Sequence, residues 1–355
     1  MLDLPRTLCQ GKSRFRLRRM LLKILNKNKY LQYVNLLLPT LSSTVLTSVS
    51  AHAQSFQSYP ARPVRIVVGY PAGGPIDILA RVLTPGFSDA FSHQFIVDNR
   101  PGASGMIGIE YVAKAAPDGQ TLLMTAATFA INPSVFAKVP YDPQRDFAPV
   151  ALTARSPYLL VVHPSFPART VKELIGVAKA APGQVNFASS GTASLPHLAG
   201  ELFQLMAGVK MNHIPYKGGT PATIDTLAGQ VPVIFNNMLN AAPHVKSGKM
   251  RALGVTGTQR AAILPRVPTV SEAGLNGYEV TGWYGLLAPA ATPREIIARL
   301  NIEAGKIMKL PTSAARLADD GVVTHAEMPE AFATLIRDDQ AKWAKVVRQS
   351  GIKPE

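Results

Sequence analysis

Val64-Arg65-Ile66-Val67-Val68 is a β-branched run that ends at Gly69. Tyr70-Pro71-Ala72 follows, then two adjacent glycines, Gly73 and Gly74, before Pro75-Ile76-Asp77 and Ile78-Leu79-Ala80 open a helical spacing of apolar residues. Strand, glycine turn and helix start, packed this tightly, aim backbone N–H groups at the space above the turn. The first N–H groups of a helix have no intrahelical acceptor and lie at the positive end of its dipole. Glycines let a ligand approach them without a Cβ in the way. The stretch has two readings: a seat for a small anion, a carboxylate foremost, or a tight connection that holds nothing.

The same design recurs further on. Val185–Ala188 reads as a strand, Ser189-Ser190-Gly191-Thr192-Ala193-Ser194 as a loop of small residues, and Leu198–Met206 as a helix. Further strands are expected at Phe95–Asp98, Thr121–Thr125, Leu159–Val162, Met211–Pro215, Val231–Phe235 and Leu253–Thr256. Helices are expected at Ile109–Lys114, Val171–Ala180, Arg294–Lys309 and Pro329–Gln349. Strands alternating with helices predict parallel α/β sheets covered by helices. Ala154–Val162 and Thr281–Ala288 are extended and apolar, and read as two crossings between lobes. Lobe one would then comprise 54–156 and 282–355, and lobe two 157–281. In open α/β sheets ligands sit beyond the carboxyl ends of strands. Two such loops, one per lobe, make the geometry of a hinged binding protein.

The formal charge of +15 is uneven along the 355 residues. Residues 1–53 hold nine Lys or Arg against one acid, Asp3, so the remainder carries 28 basic and 21 acidic residues, or +7. Basic residues from Arg14 to Lys29, an apolar stretch from Leu31 to Val49, and Ala51-His52-Ala53 together read as a secretory leader cleaved before Gln54, placing the mature chain in the periplasm. Met20 is a second candidate start, and the twin arginines Arg18-Arg19 precede further lysines that favour general secretion. The single cysteine, Cys9, leaves with the leader, so no disulfide or thiolate site is expected. The remaining basic residues are dispersed and do not alternate with aromatics, which argues against nucleic acid as a partner.

Catalysis finds no footing. Gly102-Ala103-Ser104-Gly105-Met106 fails the Gly-x-Ser-x-Gly pattern. The seven histidines (His52, His93, His163, His197, His213, His244, His325) show no i, i+4 pair and no acid at ligand spacing, so neither metal nor cofactor is expected. Gly102, Gly105 and Gly108 hint at a nucleotide loop, but a proline inside the loop and no supporting acid set that reading aside.

Tyr70 to Arg81 resembles the first binding loop of the Bug receptors, the periplasmic solute-binding proteins of tripartite tricarboxylate transporters. The motifs Asp98-Asn99-Arg100-Pro101-Gly102, Pro117-Asp118-Gly119, Ile131-Asn132-Pro133, Asp146-Phe147-Ala148-Pro149-Val150, Pro215-Tyr216-Lys217-Gly218-Gly219, Pro268-Thr269-Val270 and Trp283-Tyr284-Gly285-Leu286 follow in that family's order. The resemblance runs from 59 to 355. It implies an α/β type II periplasmic binding protein fold, two open lobes joined by a two-crossing hinge with a helical C-terminus, and no enzymatic activity. It also implies that one carboxylate of a ligand is pinched between two facing loops by backbone N–H groups and water. Carried onto this chain, the ligand-binding residues are Tyr70, Pro71, Ala72, Gly73, Gly74 and Asp77 in the first loop. In the second they are Ser189, Ser190, Gly191, Thr192 and Ser194, with Thr128 and Asn237 reaching the cleft from strand ends. Ala193 stands where a glycine is common, and Asn236 where an aspartate is common.

Several side chains carry two readings. Asp77 either braces the loop by accepting N–H groups or meets a cationic part of the ligand. The hydroxyls of Ser189, Ser190, Thr192 and Ser194 are either helix caps or ligand contacts, with at least two expected to touch ligand. His197 reads as structural, and Trp283 and Tyr284 either line the pocket or pack the hinge. The expected function is capture of a small carboxylate-bearing metabolite by a monomeric receptor that delivers it to membrane permease subunits. The alternative partner is a sensor kinase ectodomain, without transport.

Overall fold

The computed structural model describes residues 59–318 and 321–352, so the expected leader and its cleavage before Gln54 lie outside the described residues. In chain order the elements are β1 (Val64–Val68), α1 (Pro75–Phe91), β2 (Phe95–Asn99), α2 (Met106–Ala113), β3 (Thr121–Ala126), α3 (Thr128–Val135), β4 (Phe147–Val162), α4 (Val171–Ala180), β5 (Asn186–Ser189) and α5 (Leu195–Ala207). They continue with β6 (Asn212–Pro215), α6 (Gly219–Leu227), β7 (Val233–Asn237), α7 (Met238–Lys246), β8 (Arg251–Val255), β9 (Thr281–Pro289), α8 (Arg294–Met308), α9 (Pro311–Ala318), β10 (Val323–Glu327) and α10 (Pro329–Ser350). Among the described residues no helix is long and apolar enough to cross a membrane.

The strands join in the order β2-β1-β3-β9-β4-β7-β5-β6, with β8 and β10 also pairing with β4. β4 is the spine. Its first part, from Phe147 to Pro157, pairs with β9, and its last residues, Tyr158 to Val162, pair with β7. The expectation of purely parallel sheets needs correction. β1 pairs in parallel with β2 and β3, and β5 with β6 and β7, but β4 and β9 run antiparallel to all their neighbours. β4 alone pairs on both sides, with β9 and β10 through its first part and with β7 and β8 through its last residues. β4 and β9 enter as return strands rather than through the helical crossover that parallel pairing requires.

Among the described residues three helices carry a proline in their interior, where sequence spacing reads a break. Pro85 lies inside α1, Pro133 inside α3 and Pro243 inside α7. A helical proline removes one N–H and leaves the carbonyl four residues earlier without its usual donor. Two of these carbonyls are supplied by side chains. The Thr84 hydroxyl donates to the Arg81 carbonyl at 3.3 Å, and the buried Tyr141 hydroxyl donates to the Phe129 carbonyl at 2.9 Å. Tyr141→Phe should therefore cost about 1–2 kcal/mol, the penalty for orphaning a buried carbonyl. Urea denaturation of the two proteins measures it, and equal midpoints would show that α3 tolerates Pro133 unaided.

The glycines once suggestive of a nucleotide loop serve packing. A Cβ on Gly108 would lie 2.8 Å from the Gly69 Cα, and one on Gly69 would lie 2.6 Å from the Gly105 carbonyl oxygen. The end of β1 and the start of α2 approach backbone to backbone. Above them α10 lies along β4 and contacts both α3 and α5. Its Phe332 meets the Trp283 ring edge-on at 5.2 Å, and Asp339 accepts the Trp283 indole N–H at 2.7 Å. Trp283 is 1% exposed, so of its two readings it packs the crossing strand. Burial raises the Asp339 pKa against the bond from Trp283.

Candidate functional site

The first loop leaves β1 at Gly69 and enters α1 at Pro75, whose fixed φ suits the first helical position. Gly73 has φ +83°, a left-handed conformation that demands glycine. Gly74 has no such need. Its φ of −81° suits any residue, and a Cβ there would meet only the Pro71 carbonyl oxygen at 3.6 Å. What its missing side chain leaves open is the end of α1, which no side chain caps. Pro71, Ala72 and Gly73 are exposed beside it.

Asp77 holds this loop together. Its Oδ2 accepts the Gly73 N–H at 2.9 Å and the Arg81 Nε–H at 2.9 Å, and its Oδ1 accepts from Asn99 Nδ2 at 3.0 Å. Asn99 Nδ2 also donates to the Tyr70 carbonyl at 3.1 Å. Asp77 is only 2% exposed. Burial works against its charge, but the bonds from Arg81, Gly73 and Asn99 outweigh it and hold the carboxyl below its ordinary range. The acid in the first turn of α1 thus serves the loop and leaves the helix end uncapped.

The Tyr70 hydroxyl lies 2.8 Å from Thr128 Oγ1 and donates to the Ser104 carbonyl at 3.1 Å, so two predicted site residues far apart in sequence meet directly. Burial raises the Tyr70 pKa, and the bond to Thr128 opposes it.

In the second loop the hydroxyls divide. Ser189 is buried, donates to the Gly191 carbonyl at 3.1 Å and lies 2.7 Å from His213 Nε2. Ser194 caps α5, accepting the His197 N–H at 3.3 Å, and donates to Gly191 O at 2.7 Å. The half-buried Ser190 and exposed Thr192 have side chains with no hydrogen bond among the described residues. Ala193, the departure from glycine, adopts φ +61°. His197 is packed and hydrogen-bonded, and its Nε2 lies 3.5 Å from Glu201 Oε1. That acid, four residues on, corrects the expectation that no histidine has one at such spacing. Among the described residues no three His, Cys, Asp or Glu side chains form a metal-sized group.

Asn237 caps α7, its Oδ1 accepting the Asn240 N–H at 2.8 Å. Asn236 is spent internally, donating to Thr223 Oγ1 at 2.6 Å and accepting the Asn237 N–H at 2.9 Å. Sequence reasoning missed Tyr158. A Cβ on Gly282 would lie 3.3 Å from Tyr158 Cε2 and 3.5 Å from Leu195 Cδ2, so this ring stands beside the first residue of α5. Burial raises its pKa, and the nearby phenols of Tyr284 and Tyr70 raise it further. Its hydroxyl has no hydrogen bond among the described residues. Its one sequence signal was a phenol inside an apolar crossing segment.

A basin of about 650 Å³ lies elsewhere, along α2, and shares no residue with either loop. Three of its four cations are closely paired, Arg62 to Asp118 at 3.1 Å, Arg100 to Asp98 at 3.0 Å and Lys114 to Glu110 at 2.5 Å, and the fourth, Arg65, shares Asp98 at 3.9 Å. It offers little unspent charge to an anion.

The family model for the tripartite tricarboxylate transporter family receptor matches residues 79–352. The Bordetella pertussis protein BugT is 35% identical over 319 residues, 89% of this chain and 98% of its own. The R. palustris protein Rpa4515, solved with adipate, superposes with a TM-score of 0.72 at 34% identity, covering 84% of this chain and all (100%) of its own. MatC of Rhodopseudomonas palustris, solved with bound malate, gives 0.68 at 32% identity over 81% of this chain and 100% of its own. The mixed α/β sheet is the periplasmic binding protein fold of these structures, and the family's members are receptors rather than enzymes. The chain belongs to the tripartite tricarboxylate transporter (TctC/Bug) family of periplasmic solute-binding receptors.

Proposed function

We propose that this receptor captures a small carboxylate-bearing metabolite in the periplasm and delivers it to the membrane permease subunits of a tripartite transporter. One carboxylate sits between loops 71–77 and 189–194, and the chain acts as a monomer after its leader is removed before Gln54. Lobes 54–156 with 282–355, and 157–281, close on the ligand by bending β4 and β9. The observation that carries the reading is the end of α1. It is uncapped, flanked by a glycine whose backbone does not require glycine, and its nearest carboxylate, Asp77, is turned back into the loop. Free helix-end N–H groups without a competing anion suit a carboxylate. Relatives solved with adipate and malate support a dicarboxylate. Ser190, Thr192, Thr128, Asn237 and Tyr158 then meet the ligand with hydroxyl and amide groups, directly or through water.

Asp77 is committed to Gly73, Arg81 and Asn99, so it is not available to an ammonium group. Dicarboxylates should therefore bind at least tenfold tighter than amino acids of similar length. Isothermal titration against di- and tricarboxylates, amino acids and aromatic acids tests both points. No binding across the panel overturns the proposal, and a preference for amino acids overturns the dicarboxylate assignment.

A further inference from the structure

Beneath the second loop lies a stacked pair of imidazoles. His197, in the first turn of α5, and His213, on β6, stack with centroids 3.7 Å apart and planes 13° from parallel, and the Phe187 ring leans on His213 at 5.0 Å. Each ring takes one end of the loop. His213 Nε2 meets the Ser189 hydroxyl at 2.7 Å where the chain leaves β5, and His197 Nδ1 accepts the Ala193 N–H at 3.0 Å where it turns into α5. An imidazole nitrogen accepts only through a free lone pair, so the His197 proton resides on Nε2, the nitrogen facing Glu201. Burial, with His197 alongside, lowers the His213 pKa to about 3.

Ala193 gives this bond a purpose. At φ +61° a residue bearing a Cβ resists the left-handed conformation that glycine accepts freely. The N–H that His197 holds belongs to that residue. Across the loop Tyr216 N donates to Ser189 O at 3.2 Å and Gly218 N to Ser190 O at 3.1 Å, pinning its β5 side. On the α5 side Ser194 closes onto the Gly191 carbonyl through N–H and hydroxyl, which leaves the Ala193 peptide itself to His197.

We propose that His197 is a positioning residue for ligand capture, its Nδ1 lone pair holding Ala193 in the left-handed conformation that aims residues 190–192 at the ligand. The proposal rests on the second loop contacting ligand. Its test has a ligand-free arm and a binding arm. Ring ¹⁵N shifts of the ligand-free protein should show His197 with Nδ1 unprotonated and Nε2 protonated; a protonated Nδ1 overturns the proposal. In titrations with adipate, malate and the other panel acids, His197→Phe should keep the stack but lose at least tenfold in affinity. His197→Asn, which keeps an acceptor, should lose less. Adding Ala193→Gly to His197→Phe should recover affinity to within threefold of wild type, because glycine adopts φ +61° unaided. The same glycine should rescue nothing in a Gly74→Asp background. Unchanged affinity in His197→Phe, or no rescue by Ala193→Gly, overturns the positioning role while leaving capture standing. A wild type that binds no panel member overturns capture and this proposal together.

Discussion

Gly74→Asp should abolish carboxylate binding, with at least a 100-fold loss of affinity, in a protein as stable as wild type or more so. Gly74 is the N-cap of α1, with extended backbone and room for a side chain, and no side chain now caps this helix. Aspartate is among the best N-cap residues and would accept an N–H two or three positions on, worth roughly a few tenths of a kcal/mol over glycine. The same bond occupies the N–H groups proposed for the ligand. It also sets a negative charge about 4 Å from the ligand carboxylate, a repulsion on the order of 4 kcal/mol at an effective dielectric near 20. Stability and binding should thus move in opposite directions, which misfolding cannot imitate. Titration calorimetry and urea denaturation of wild type, Gly74→Asp and a Gly74→Ala control give the answer. Unchanged affinity in the aspartate variant would show that the end of α1 holds no ligand.

Asp77→Ala should cost about 2–3 kcal/mol at neutral pH and also weaken binding. Removing the carboxylate deletes the part-buried bonds from the Gly73 N–H and the Asn99 amide, and hydrogen bonds to a charged group are worth about 1.5–3 kcal/mol. Arg81 adds less, because its side chain is 48% exposed and returns to solvent. The pH dependence separates this cause from lost packing. The folded-state pKa of Asp77 lies below the ordinary value near 4, so its ionised form stabilises the protein fully above that value. That contribution fades as pH falls through the lowered pKa. The stability gap between wild type and Asp77→Ala should therefore narrow from pH 5 downward. A gap that stays constant into acid would mean that the loop does not depend on the charged carboxylate.

Local structure was well written in the sequence where neighbouring residues carry the signal. β1 over Val64–Val68 and α4 over Val171–Ala180 have the expected bounds, the latter capped by Thr170 accepting the Glu173 N–H. α3 and α7 escaped because Pro133 and Pro243 read as breaks. The hydroxyl that makes Pro133 tolerable comes from Tyr141, outside any local window. β4 begins at Phe147, earlier than the expected crossing, because its first residues look like loop until β9 pairs with them.

The sequence by itself determined that a strand, a glycine turn and a helix recur as two loops, and its run of motifs determined the receptor family. These depend on residue type and order, which a chain displays before it folds. Only the tertiary structure decided that Asp77 meets Asn99, that Tyr70 reaches Thr128, that β4 and β9 run antiparallel, and that two histidines stack beneath Ala193. Each joins residues from different elements. Whether they meet depends on sheet register and helix docking, which the whole core sets at once.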